Sequence, residues 1–175
     1  GALVFAHPNT RAALAKLPGP SPLPAEALPA VTSSERMTFH FNGEDITYIP
    51  LKPSHTNGDV AVYFHGSNVF AFGDVYTTDY PAIGLAEGGT IENFVDNYNL
   101  ALQMTTPNTI FVPGHAQLSK PEDVAAVRDA INVSKAGRPV VLFVYNHFEK
   151  AARAQATGLG MSDLRIYVFP QYKPG

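Results

Sequence analysis

Cysteine is missing altogether from this chain of 175 residues. That excludes disulfides and thiolate metal ligands, and it leaves the redox compartment unread. Charge is sparse as well: 12 basic and 15 acidic side chains give a formal net charge of −3. No basic run or stripe stands out, so no nucleic-acid partner is expected. No apolar run approaches the roughly 18 residues of a membrane span, so no membrane partner is expected either. The opening "GALVFAHPNTRAALAKL" lacks the basic region and long apolar core of a signal peptide, and localisation stays unassigned. The same opening passes straight into the strand-like "ALVFAH" without a polar lead-in, which predicts that the chain is truncated at Gly1. What the chain does have is apolar residues, 45% of the total, enough to fill the core of one domain of ordinary size.

Hydropathy patterning divides the chain into elements. Residues 2–6 read as a short strand and "NTRAALAKL" as a short helix with Asn9 or Thr10 as its N-cap. "PGPSPLPAEALPAV" carries Pro18, Pro20, Pro22, Pro24 and Pro29, which cannot donate to a ladder, so it reads as an extended connector. "RMTFHFNGEDITYIPL" is two alternating runs joined at "NGED", a hairpin signal. Met37, Phe39 and Phe41 share one face of its first arm, with His40 on the polar face. "DVAVYF" and "NVFAFGD" form a second strand pair turning at "HGSN". An amphipathic helix capped by Thr90 follows, then a strand "TIFVPG" and a helix "PEDVAAVRDAINV" with Pro121 in its first turn.

From Arg138 the texture changes. "RPVVLFVYN" and "LRIYVFP" are continuous apolar runs of the kind seen in strands buried on both faces, and the segment between them reads as a helix. Strand, helix, strand is a βαβ unit. The predicted division is residues 1–134 and 135–175, and the fold class is α/β.

His55, Asp74 and His115 share one placement, each in a loop at the end of a predicted strand. Imidazole and carboxylate are the ligands that zinc accepts when no thiolate is available. Gly58, Gly73 and Gly114 lie beside them in sequence, which would let backbone approach an ion closely. On composition and spacing alone, ordinary polar loop residues remain the commoner reading. His7 reads as a hydrogen-bonded strand end, while His65 sits in a turn and His147 near a helix start. The glycine-rich "GLAEGG" lacks the strand context of a phosphate loop, so no nucleotide site is expected.

"HTNGDVAVYF", "NVFAFGD", "YPAIGLAEGGTIENFVDNYNLAL" and "TIFVPGHAQLSKPEDV" resemble, in order and spacing, the second half of a metallo-β-lactamase-fold hydrolase over about residues 2–133. The resemblance implies a four-layer αββα sandwich with two metal ions at one edge. It further implies that His55 ligates the first ion, Asp74 bridges both and His115 ligates the second, with zinc as cofactor. The family's His-x-His-x-Asp-His loop has no counterpart in this sequence, so the sandwich is expected to be incomplete and each ion short of ligands. Residues about 137–171, including "ARAQATGLG", resemble more weakly the last βαβ portion of UGSC-type proteins. The motif that names those proteins needs cysteine or selenocysteine and is absent, so no redox residue carries over.

Three functions stay open on these grounds. The first is a metal-dependent hydrolase of an ester, thioester or lactam-type bond, acting on a small-molecule substrate once a partner chain or a longer parent sequence supplies the missing ligands; self-association or a completing chain is the partner this reading expects. The second is a non-catalytic scaffold derived from that fold. The third is a binding module in which the βαβ tail covers an open sheet edge.

Overall fold

A computed structural model describes residues 2–17, 23–78 and 81–136, the backbone of residues 141–145 and 165–169, and Arg153 and Thr157. Its centre is a five-stranded mixed sheet. The hairpin predicted at "NGED" is there: β3 (Met37–Phe41) and β4 (Glu44–Pro50) turn at Asn42 and Gly43, both with positive φ. An Asn-Gly pair suits such a turn because both positions tolerate the left-handed region. The second pair, β5 (Val60–Phe64) and β6 (Val69–Gly73), turns at residues 65–68, as the alternation predicts. A parallel strand, β7 (Ile110–Pro113), completes the order β3-β4-β5-β6-β7.

Side-chain alternation gives this sheet two apolar faces. One carries Ala61, Tyr63, Phe70, Phe72 and Phe111, all buried beneath two helices, α2 (Phe94–Met104) and α3 (Pro121–Lys135). Phe94, Tyr98 and Ala101 of α2 and Val124 and Ile131 of α3 close this core. Aromatic rings dominate it, with Phe72 meeting Tyr98 edge-on at 5.6 Å. Truncating a buried ring of this kind costs about 3–5 kcal/mol.

The other face is lined by Val62, Phe64, Val69, Ala71, Ile110 and Val112, all half-buried. Over its β3–β4 side lies a short parallel pair, β1 (Phe5–Ala6) with β2 (Val31–Thr32). Phe5 packs edge-on against Phe39 at 4.8 Å, and the Tyr48 hydroxyl donates to the Ser33 carbonyl at 2.8 Å. The structure thus shows one sheet with its helix layer and a short second layer opposite.

Three local expectations need correction. The strand expected over residues 2–6 is only Phe5–Ala6, and its partner β2 begins at Val31, the last residue of the proline-rich stretch read as connector. The first helix, α1 (Pro8–Leu14), is capped by His7 rather than by Asn9 or Thr10; the His7 Nδ1 accepts from the Asn9 N–H at 3.2 Å. Thr90 caps a 3-10 turn at Ile91–Asn93, which then runs into α2.

Beyond α3, β8 (Val141–Tyr145) pairs in parallel with β9 (Arg165–Phe169), as a βαβ unit requires. Between them the Thr157 hydroxyl donates to the Arg153 carbonyl at 2.9 Å, the i→i−4 spacing of a helix. The rest of that predicted helix, and His147 with it, lie outside the described residues.

Candidate metal centre

Topology alone brings three loops to one edge of the sheet. β6 and β7 run parallel, so their C-terminal ends, leading to Asp74 and to Gly114–His115, coincide. β5 runs antiparallel to β6, so the loop that enters β5, which carries His55, meets them there. The carboxyl ends of neighbouring parallel strands are where open α/β sheets bind ligands.

Asp74 and His55 are each placed by a local device. A register shift between Ala71 and Gly73, with Gly73 at φ +58°, breaks the β6 ladder and turns Asp74 into the edge. Behind Asp74, Val75 and Tyr76 are buried, and the Tyr98 hydroxyl donates to the Val75 carbonyl at 2.8 Å. Burial, with Tyr76 close by, holds the Tyr98 hydroxyl protonated far above the usual tyrosine range.

The His55 loop is pinned to the rest of the fold at several points. Buried Asn97 of α2 donates to the Lys52 carbonyl at 2.9 Å and to the Ser54 hydroxyl at 3.0 Å. The Gly84 and Thr90 N–H groups donate to the carbonyls of His55 and Ser54 at 2.8 and 2.9 Å. Such close approach requires Gly89, where a Cβ would lie 2.2 Å from the His55 carbonyl oxygen.

The three predicted residues do meet. His55 Nε2 lies 3.5 Å from Asp74 Oδ2, and His115 Nε2 lies 3.5 Å from Asp74 Oδ1. His55 Nδ1 is 3.0 Å from the Ala82 carbonyl. A carbonyl can only accept, so Nδ1 carries the proton, and in the neutral ring Nε2 presents its lone pair to the carboxylate. Two acceptors facing each other repel unless a proton or a cation lies between them.

The donors suit zinc: a tetrahedral ion with bonds of about 2.1 Å holds neighbouring ligand atoms roughly 3.4 Å apart. The number of donors does not suit a complete centre. Among the described residues no group of three or more His, Asp or Glu side chains is placed to hold one ion. The two imidazoles instead flank one carboxylate, each facing a different oxygen.

Sequence reasoning located these three residues but missed what supports them. The Ala82 carbonyl is a backbone group and leaves no trace in residue type. Asn97 does carry a sequence signal, a polar residue between Phe94 and Tyr98 on the apolar side of an amphipathic helix. Gly58 serves a different purpose from the one expected: a Cβ there would lie 2.5 Å from the Thr10 hydroxyl, so it lets α1 dock. Tyr76, two residues past Asp74, lies in the aromatic core and not at the edge.

Three solved structures resemble this chain in fold. A metallo-beta-lactamase from Pontibacter korlensis superposes with a TM-score of 0.59 at 17% identity, covering 75% of this chain and 59% of its own. The BLEG-1 B3 metallo-beta-lactamase gives 0.57 at 18%, covering 69% and 61%. The DIM-1 metallo-beta-lactamase gives 0.55 at 17%, covering 75% and 58%. The fold is therefore that of the metallo-β-lactamases, and this chain spans less than two thirds of the length of each structure. The sequence model of the UGSC family matches residues 124–172. Among curated proteins none matches by sequence.

Proposed function

We propose that this chain carries part of a metal-dependent hydrolase centre. His55 and Oδ2 of Asp74 would serve one ion, and Oδ1 of Asp74 and His115 a second. One observation carries the reading: a single carboxylate is flanked by two imidazole Nε2 atoms, each 3.5 Å from a different oxygen. Zinc bound there would supply Lewis acidity toward an ester, thioester or lactam-type carbonyl. The chain's own contribution is to orient donors. The Ala82 carbonyl sets the His55 tautomer, as outer-shell acceptors do for metal-binding histidines. The break in β6 at Gly73 aims Asp74. A catalytic zinc takes about three protein ligands, so hydrolysis requires donors beyond these, from a further segment of such a hydrolase or from a companion chain. Zinc titration calorimetry of the chain and of His115→Ala tests the proposal. Measurable uptake that weakens in the variant is the expected result; equal, weak uptake by both overturns it.

The second reading, a non-catalytic scaffold, is favoured by the missing third donor among the described residues. In that case the flanking imidazoles are polar neighbours of Asp74 and hold no ion. The same titration would then show no uptake by either protein.

A further inference from the structure

Gly73 and Gly114 face each other across the ends of β6 and β7, and the Gly114 N–H donates to the Gly73 carbonyl at 2.8 Å. They are glycines for different reasons. Gly73 has φ +58°, and a Cβ there would meet nothing within 4 Å, so its requirement is conformational. Gly114 is not among the described glycines with positive φ, so its backbone accepts any residue. Its requirement is space: a Cβ at Gly114 would sit 1.7 Å from Asp74 Oδ1 and 2.8 Å from Asp74 Cγ. A separation of 1.7 Å is close to a covalent bond length, so no side chain at 114 coexists with this carboxylate pose. The oxygen that would be struck is the one facing His115.

We infer that Gly114 is a positioning residue, whose missing side chain is the space in which the Asp74 carboxylate lies between His55 and His115. The inference rests on the half-site reading for its relevance to metal, but the steric claim stands without a metal. Asp74 is 38% exposed and Gly114 lies on the surface, so the carboxylate has solvent to swing into when a methyl group takes its place. The backbone must yield slightly too, because the same Cβ would lie 2.8 Å from the Asp74 backbone nitrogen. Gly114→Ala therefore turns the carboxylate out of the edge and into solvent, away from the buried Val75 and Tyr76.

Two measurements test this. The first is a double-mutant cycle on thermal unfolding of the metal-free protein, with Gly114→Ala, Asp74→Ala and both together. The fall in Tm caused by Gly114→Ala should shrink to less than half once Asp74 is alanine, because the struck carboxylate is gone. An undiminished fall overturns the inference. The second is Co²⁺ titration followed by its visible absorption, in the wild type, Gly114→Ala and Gly43→Ala. Gly43 sits in the β3–β4 turn at φ +80° with nothing near its Cβ, so its variant reports backbone strain alone. Affinity should fall at least tenfold in Gly114→Ala and stay unchanged in Gly43→Ala. Equal Co²⁺ affinity in the wild type and Gly114→Ala overturns the inference and leaves the half-site intact. No Co²⁺ uptake by the wild type overturns the half-site reading, and the unfolding cycle then decides the positioning role by itself.

Discussion

His55 and His115 stand at the same distance from the same carboxylate, yet their surroundings differ sharply. The His55 ring is 24% exposed, its Nδ1 is tied to the Ala82 carbonyl, and its backbone is clamped by the segment that runs from Gly84 to Thr90. The His115 ring is 81% exposed, on a run of surface residues from Gly114 to Leu118 that includes Ala116 at φ +82°. One side of the carboxylate is built in advance, and the other is left open to solvent. A donor already held in place gives up little rotamer freedom on binding, so the two sides should differ in strength by about the cost of fixing one side chain, roughly 0.5–1.5 kcal/mol.

The heaviest loss should come from Asp74→Ala, which removes a donor from both sides at once. Zinc affinity should fall by about 100-fold or more, at or beyond the upper end for loss of an outer-shell partner, as read by calorimetry. Next come the histidines taken separately. His55→Ala should weaken uptake about two- to tenfold more than His115→Ala, the equivalent of one side chain's ordering cost; equal losses would dissolve the contrast between the two sides. A smaller effect on the whole molecule is expected from Tyr98→Phe, which leaves the Val75 carbonyl beside Asp74 without its donor. Urea unfolding should show a loss of about 1–3 kcal/mol.

The same tyrosine predicts an alkaline limit. Its hydroxyl titrates far higher in the folded state than the value near 10 of an unfolded chain. Its contribution is complete below pH about 10 and declines above it, because the unfolded chain then loses a proton that the folded one keeps. The slope approaches about 1.4 kcal/mol per pH unit, and Tyr98→Phe should remove that share of it.

The parts of this arrangement that sequence reveals are those with a period or a recognisable end. Alternation over five to seven residues marks β3 to β6, and the Asn42-Gly43 pair marks a turn. A strand end identifies the loops that hold His55, Asp74 and His115. The pair β1–β2 was not recognisable because two residues per strand give alternation nothing to repeat. Val31 and Thr32 become strand only by pairing with Phe5 and Ala6. His7 escaped notice as a cap because histidine is outside the preferred set of Ser, Thr, Asp and Asn. The lock on His55 was hidden for a deeper reason, since any residue at position 82 offers the same carbonyl. Gly114 was marked by sequence as a place where backbone nears an ion. In the fold, the place its Cβ would take is occupied by the Asp74 carboxylate.

The helix α3 belongs to both resemblances at once. The UGSC match starts at Val124, and Val124 and Ile131 are two of the side chains that seal the aromatic interior of the five-stranded sheet. Cutting the chain where that match begins would remove most of α3 and, with it, two side chains of the buried aromatic core. The span that resembles one family by sequence and the body that resembles the other by fold therefore share one helix, and the sheet's buried face depends on it.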